Sequence, residues 1–250
     1  MIYDQATRGF IGHEVSVETE YSSGDDVDSL IVYLPGTTAG ARESSESLLR
    51  TWLQYGDVLL VEYGDGRFFG DEVVAKTIDA IRVAESGRHY DRLIFVGSSM
   101  GGLLSIDAVD NYTGDLPVSL VVVDAPTSSE DLVGLFGAAP ALRALPFGPI
   151  WNGVDVDGTP YDTSFWRDQI TYVVEHGVPE RDSLDGKIEN LIFLRCTRDN
   201  QFVRASAADR WVSAFSGAVV VDVDSGHVDY HGEPELWNRV FNDAFTELTE

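Results

Sequence analysis

Lysine is nearly missing from this chain of 250 residues. Lys76 and Lys187 are its only lysines, and all basic residues together number 17 against 42 acidic ones, a formal charge of −25. A surface of that sign repels nucleic acid and anionic membranes, so neither is expected as a partner. The acid is not gathered in a tail. It runs from Asp25, Asp26 and Asp28 to Asp222, Asp224 and Asp229. Two readings fit this spread: an ordinary acidic protein, or adaptation to high salt, where dense carboxylates are screened and keep the chain in solution.

Cysteine is almost as scarce. The single Cys196 excludes an internal disulfide, and no ligand cluster surrounds it in sequence. It ends an apolar run, which suits a packed thiol. No apolar stretch approaches the roughly 18 residues that span a bilayer. The opening residues, MIYDQATRGFIGHE, lack a basic stretch followed by an apolar run, so they do not read as a signal peptide. A cytoplasmic protein is the expectation. The hydrophobic fraction of 44% is ordinary for a globular chain. A single domain over 1–250 is expected, since this length sits near the upper end of what one core holds.

Apolar runs of strand length recur along the chain, separated by helix-like stretches. His13 to Tyr21 alternates, as a half-exposed antiparallel strand does. Leu30–Leu34, Val58–Tyr63, Leu93–Val96, Ser119–Val123, Leu191–Leu194 and Val219–Val223 read as further strands. Continuous apolar runs among them mark strands buried on both faces. Helices are expected over about 43–55, over 71–85 with Asp71 as its cap, and over 100–112, 205–215 and 235–248. The alternation breaks between about 125 and 187, where prolines recur. The first half of that stretch is apolar (Leu135, Phe136, Phe147, Trp151), and Phe165, Trp166 and Ile170 suggest a short helix in its second half. It reads as a cap or lid insertion, because about 60 residues make a poor core of their own. Strands alternating with helices imply an α/β fold with a mostly parallel central sheet and helices on both faces.

The strongest chemical signal is FVGSSMGG, from Phe95 to Gly102. A buried strand runs into a small-residue turn and then a helix, with Ser99 at the centre of G-x-S-x-G. Glycines two before and two after the serine relieve a tight, strained turn. Leu34-Pro35-Gly36-Thr37-Thr38 follows an earlier strand and can present a backbone N–H. Acyl transfer needs such donors aimed at the developing oxyanion, and the N–H groups of Thr37 and Met100 are the candidates. The base should come late. Of five histidines, His227 follows the last strand in DSGH, with His231 as its rival. Where a serine sits on such a strand-to-helix turn, the order along the chain is serine, acid, histidine. Asp199, in CTRDN, is the candidate; Asp124, in VVVDAP, is the alternative.

These segments resemble those of the α/β-hydrolase superfamily over nearly the whole chain. VGSSMGG resembles the nucleophile elbow, LPGTT the loop that usually begins with His-Gly, CTRDNQFV the acid segment and SGHVDY the histidine segment. Pro35 stands where many members carry His. The resemblance is nearest to the lipase, esterase and monoacylglycerol-lipase-like members, and it implies the α/β-hydrolase fold with a lid between strands six and seven of that fold. It also implies a serine hydrolase acting on a carboxylic ester of a small molecule through Ser99, His227 and Asp199, with no metal or organic cofactor. Thioesters, amides and carbon–carbon bonds stay open on the same triad, as does a non-catalytic binding member of the fold. A homo-oligomer is left open.

The two readings of the acid differ in a measurable way. The high-salt reading expects the melting temperature to rise steadily from low to molar salt. Equal temperatures at both ends assign the carboxylates to ordinary solubility.

Overall fold

Each of the seven expected strands forms. The structure, a computed structural model, describes residues 15–22, 28–37, 40–64, 68–133, 137, 163–178, 186–199, 202–215 and 217–249. The strands are β1 (Ser16–Glu20), β2 (Ser29–Leu34), β3 (Gly56–Glu62), β4 (Arg92–Ser98), β5 (Val118–Val123), β6 (Ile188–Cys196) and β7 (Val219–Val223). They make one sheet in the order β1-β3-β2-β4-β5-β6-β7. β1 runs antiparallel to β3, and every other pair is parallel. The continuous apolar runs sit in the middle: β2 and β5 are buried at every residue, as strands covered on both faces must be.

The helices among the described residues are α1 (Ala41–Ser45), α2 (Leu49–Trp52), α3 (Gly70–Gly87), α4 (Met100–Asn111), α5 (Thr163–Glu175), α6 (Ser206–Ala214) and α7 (Pro234–Thr249). Two expectations need correction. The helix expected over 43–55 is two short ones. The hydroxyls of Ser44 and Ser45 bond back to the carbonyls of Gly40 and Ala41, a competition that weakens a helix ladder. Asp71 does not cap α3. The helix starts one residue earlier, with Phe69 at the cap position and no side-chain cap bond, and Asp71 and Glu72 stand in the first turn, where negative charge suits the helix dipole.

The sheet divides the core into two layers. On one face the side chains of Leu30, Val32, Phe95 and Val122 meet α3, α4 and Trp211 of α6. On the other, Ile31, Tyr33, Val96 and Val123 meet α1, α2 and α7. Trp52 is the hub of the second layer. It is fully buried, and its ring stands edge-on to Tyr33 at 5.0 Å and Phe241 at 5.2 Å.

Counted along this chain, the expected lid falls between β5 and β6. Much of it, including Leu135, Phe136, Phe147 and Trp151, lies outside the described residues. The described part of its second half packs into the body. Tyr172, Val173 and Val178 join the first core layer, and the Val178 N–H donates to the Thr127 carbonyl at 2.8 Å. Among the described residues no helix is long and apolar enough to cross a membrane.

Removing a buried aromatic at the centre of such a layer leaves a cavity that its neighbours cannot fill. Trp52→Ala is expected to cost about 3–5 kcal/mol of stability, read as a lowered midpoint in urea unfolding.

Candidate active site

Parallel pairing sets the site. Ser98 of β4 lies level with Val123 of β5, Val123 with Leu194 of β6, and Leu194 with Val221 of β7. The residues leaving these strands therefore emerge side by side at the carboxyl edge, where ligands of open α/β sheets collect. Backbone bonds tie the exits together: the Ser99 N–H to Val123 O at 2.8 Å and the Asp124 N–H to Leu194 O at 2.9 Å.

Ser99 occupies a sharp turn between β4 and α4, with φ 51° and ψ −121°. The flanking glycines are required sterically. A Cβ on Gly97 would stand 2.6 Å from the Gly101 carbonyl oxygen, and one on Gly101 would stand 2.0 Å from the Leu34 oxygen. Such approaches are far inside contact distance. Ser98 turns the other way: it is fully buried, and its Oγ lies 2.6 Å from the Tyr230 hydroxyl. Of these two serines it is Ser99 that meets the imidazole.

His227 Nε2 lies 3.1 Å from Ser99 Oγ. Its Nδ1 faces two carboxylates at nearly equal range, Asp124 Oδ2 at 2.8 Å and Asp199 Oδ2 at 2.9 Å. Both are withdrawn from water, with side-chain exposures of 6% and 2%. The structure thus brings Ser99, His227 and Asp199 together as the sequence suggests, and places the alternative acid, Asp124, on the same nitrogen. Asp199 accepts backbone N–H groups from Phe202 at 3.1 Å and Val203 at 3.0 Å. The Phe202 ring stacks on His227, with centroids 4.8 Å apart.

Among the described residues, three that are not glycine have positive φ: Ser99, Asp124 and Val228. All three border this site. For a β-branched residue such as Val228 that geometry is a true outlier, and clustered strain of this kind marks functional sites.

The Leu34–Thr37 loop presses on the serine turn. A Cβ on Gly36 would stand 3.2 Å from the Ser99 Cβ, so the loop packs closely against the Ser99 turn. The buried Tyr63 hydroxyl donates to the Pro35 carbonyl at 2.5 Å and fixes the approach. Met100 opens α4, and the first N–H groups of a helix have no carbonyl behind them. Thr37 ends the described part of its loop.

Burial pulls the His227 pKa down, but the hydrogen bonds its ring N–H donates to Asp124 and Asp199, together with their charge, outweigh it and push the value up to about 9. Burial holds the Asp124 carboxyl above its ordinary range, against the pull of His227. Burial pushes the Cys196 thiol up, reinforced by Asp124, so it stays an inert packed thiol. Oxygen and nitrogen atoms of Asp124, Asp199 and His227 lie within 4.8 Å of one another, a spacing a metal ion could use. Nδ1 meets each carboxylate at hydrogen-bond length, however, and a metal would need that nitrogen free of its proton. The group is that of an oriented imidazole.

The remaining histidines stand elsewhere. His89 is exposed beside Asp91, His176 stacks on Tyr172, and His231 is exposed. His13 lies outside the described residues. Sequence reasoning missed Phe202, Tyr63 and Tyr230, whose roles come from long-range packing with no local pattern. Asp124 did carry a signal, an acid at the end of an apolar strand.

No family model matches the sequence, and no curated protein matches it. Solved structures do. A hydrolase from Pseudomonas aeruginosa PA01 is 12% identical, with 93% of this chain and 94% of that chain covered at a TM-score of 0.68. An esterase from Exiguobacterium antarcticum is 16% identical, covering 93% and 95% at a TM-score of 0.66. A meta-cleavage product hydrolase from Pseudomonas fluorescens IP01 is 13% identical, covering 94% and 95% at a TM-score of 0.66. The chain has the α/β-hydrolase fold.

A histidine whose pKa is raised by folding adds stability that is complete below its unfolded value and fades as pH climbs through its folded value. For His227 that window runs from about 6.5 to about 9. Denaturant midpoints should fall across it, by up to about 3 kcal/mol in stability. His227→Gln should flatten that slope.

Proposed function

We propose that this chain is a serine hydrolase that cleaves a carboxylic ester of a small molecule. The observation that carries the reading is the contact of Ser99 Oγ with His227 Nε2 at 3.1 Å while the far ring nitrogen rests on buried carboxylate. His227 takes the hydroxyl proton as Ser99 attacks the carbonyl carbon. The tetrahedral oxyanion is held by the N–H groups of Met100 and Thr37. Collapse expels the alcohol, which takes its proton from His227. Water then attacks the acyl-enzyme with His227 again as base. Asp199 holds the imidazole in the tautomer that leaves Nε2 free to accept. No step calls for a metal or organic cofactor.

The ester is the bond favoured by the resemblance to esterases and lipases. Thioesters, amides and carbon–carbon bonds beside a ketone suit the same groups, since one triad serves them all. The apolar residues of the 125–187 segment, as a cap, favour a hydrophobic acyl group. The proposal places the enzyme in the cytoplasm.

A fluorophosphonate probe is expected to label Ser99 in folded protein and to leave Ser99→Ala unlabelled. Ser99→Ala should lower turnover of nitrophenyl esters by about 10^6. A folded protein that takes no label is a binding member of the fold and not a hydrolase. If His227→Ala leaves ester turnover largely intact, His231 is the base instead.

A further inference from the structure

The mechanism above uses one acid, yet the imidazole rests on two. Asp124 and Asp199 leave adjacent parallel strands and reach the same nitrogen within 0.1 Å of equal length, at 2.8 and 2.9 Å. Their loops are clipped together. The Val133 N–H donates to Phe202 O at 3.0 Å and the Arg204 N–H to Asp131 O at 2.8 Å. Leu132 and Val203 form a β-bridge, and Arg210 pairs with the buried Asp131 at 3.0 Å. The separation of the two carboxylates is therefore set by the backbone and not by a flexible side chain. Asp124 is also held at φ 46°, a conformation most L-residues avoid. A surface acid caught there by accident would have neither the burial nor the strain. The Cys196 N–H reaches the Asp124 Oδ1 only at 3.4 Å, a long contact that would not require a carboxylate.

Resting on the serine-hydrolase reading, we propose that Asp124 is a second positioning residue for His227, sharing the Nδ1 proton with Asp199, so that either carboxylate alone holds the imidazole in its working orientation. Asp199 has two backbone donors to fix it. Asp124 has the stiffness of its strand exit. A fork of two acceptors on one N–H resists rotation of the ring about its Cβ–Cγ bond better than one acceptor does. The cost is a base held protonated to higher pH, because two negative charges face one ring.

The other groups near the ring leave that account unchanged. Ser99 is a hydroxyl. Cys196 and Tyr230 are kept neutral by burial. Phe202 is apolar. Arg198 points outward to Asp224 and Glu233.

The test is a set of isosteric variants assayed with a nitrophenyl ester over pH, with the imidazole nitrogens of His227 titrated in parallel by 15N NMR. Each of Asp124→Asn and Asp199→Asn should lower turnover at the plateau, by about tenfold, whereas the double variant should lose about 10^4, the usual cost of an unoriented triad histidine. The rising limb and the NMR titration should sit near pH 9 in the wild type and move down, toward the ordinary 6.5 or so, in both single variants. A residue that only braces the Cys196 backbone would not shift either curve. Should Asp124→Asn not fold, Asp124→Ser keeps an oxygen for the Cys196 N–H and removes the charge. Asp199→Asn as inactive as the double variant, or an unmoved titration in Asp124→Asn, overturns the proposal. A wild type that hydrolyses nothing overturns the hydrolase reading instead, and the NMR titration still decides whether the carboxylate is shared.

Discussion

The in-register parallel pairing of β4, β5, β6 and β7 is the constraint on which everything else here rests. It delivers Ser99, Asp124, Asp199 and the His227 loop to one edge without any of them being near another in sequence. A slip of one residue in any pair would turn that strand's exit to the opposite face of the sheet. In β2, β4 and β5, which are buried almost throughout, such a slip would force both apolar layers to repack at once. The hydrophobic core and the polar site are thus one arrangement. The first fixes the register, and the register fixes the second.

Much of this was legible in the residues. Unbroken apolar runs such as LIVYL and VSLVVV announced strands covered on both sides, and they form where expected. The elbow was legible because its glycines answer a steric demand that the structure makes explicit at Gly97 and Gly101. The order serine, acid, histidine came from the resemblance, and the structure brings Ser99, Asp199 and His227 together. Less local facts were not readable. The break between α1 and α2 has no marker such as proline or glycine in the sequence between them. The choice between Asp124 and Asp199 could not be made from spacing, because two neighbouring strands end alike and only three-dimensional pairing shows that both reach one nitrogen. The position of Phe202 over His227 has no pattern in sequence at all.

Electrostatics at the site differ in kind from those at the surface. The many exposed acids are screened by water and salt. Asp124 and Asp199 are dry, so their charge acts almost undiluted on the ring between them. In so acidic a chain, the informative carboxylates are those withdrawn from solvent. Asp57 is another such case, fully buried and gripped by Arg88 at 3.1 Å and the Tyr90 hydroxyl at 2.8 Å, where it ties the strand start to the end of α3.

The place of His227 in the chain has a consequence for the order of synthesis. The turn that carries Ser99 is finished once β4 and α4 have been made, well before the ribosome reaches β7. Until the last strand joins the sheet edge, the Ser99 hydroxyl has no imidazole beside it. On the proposed reading a half-made chain would therefore be inert toward the esters around it, and labelling of Ser99 would report completed folding.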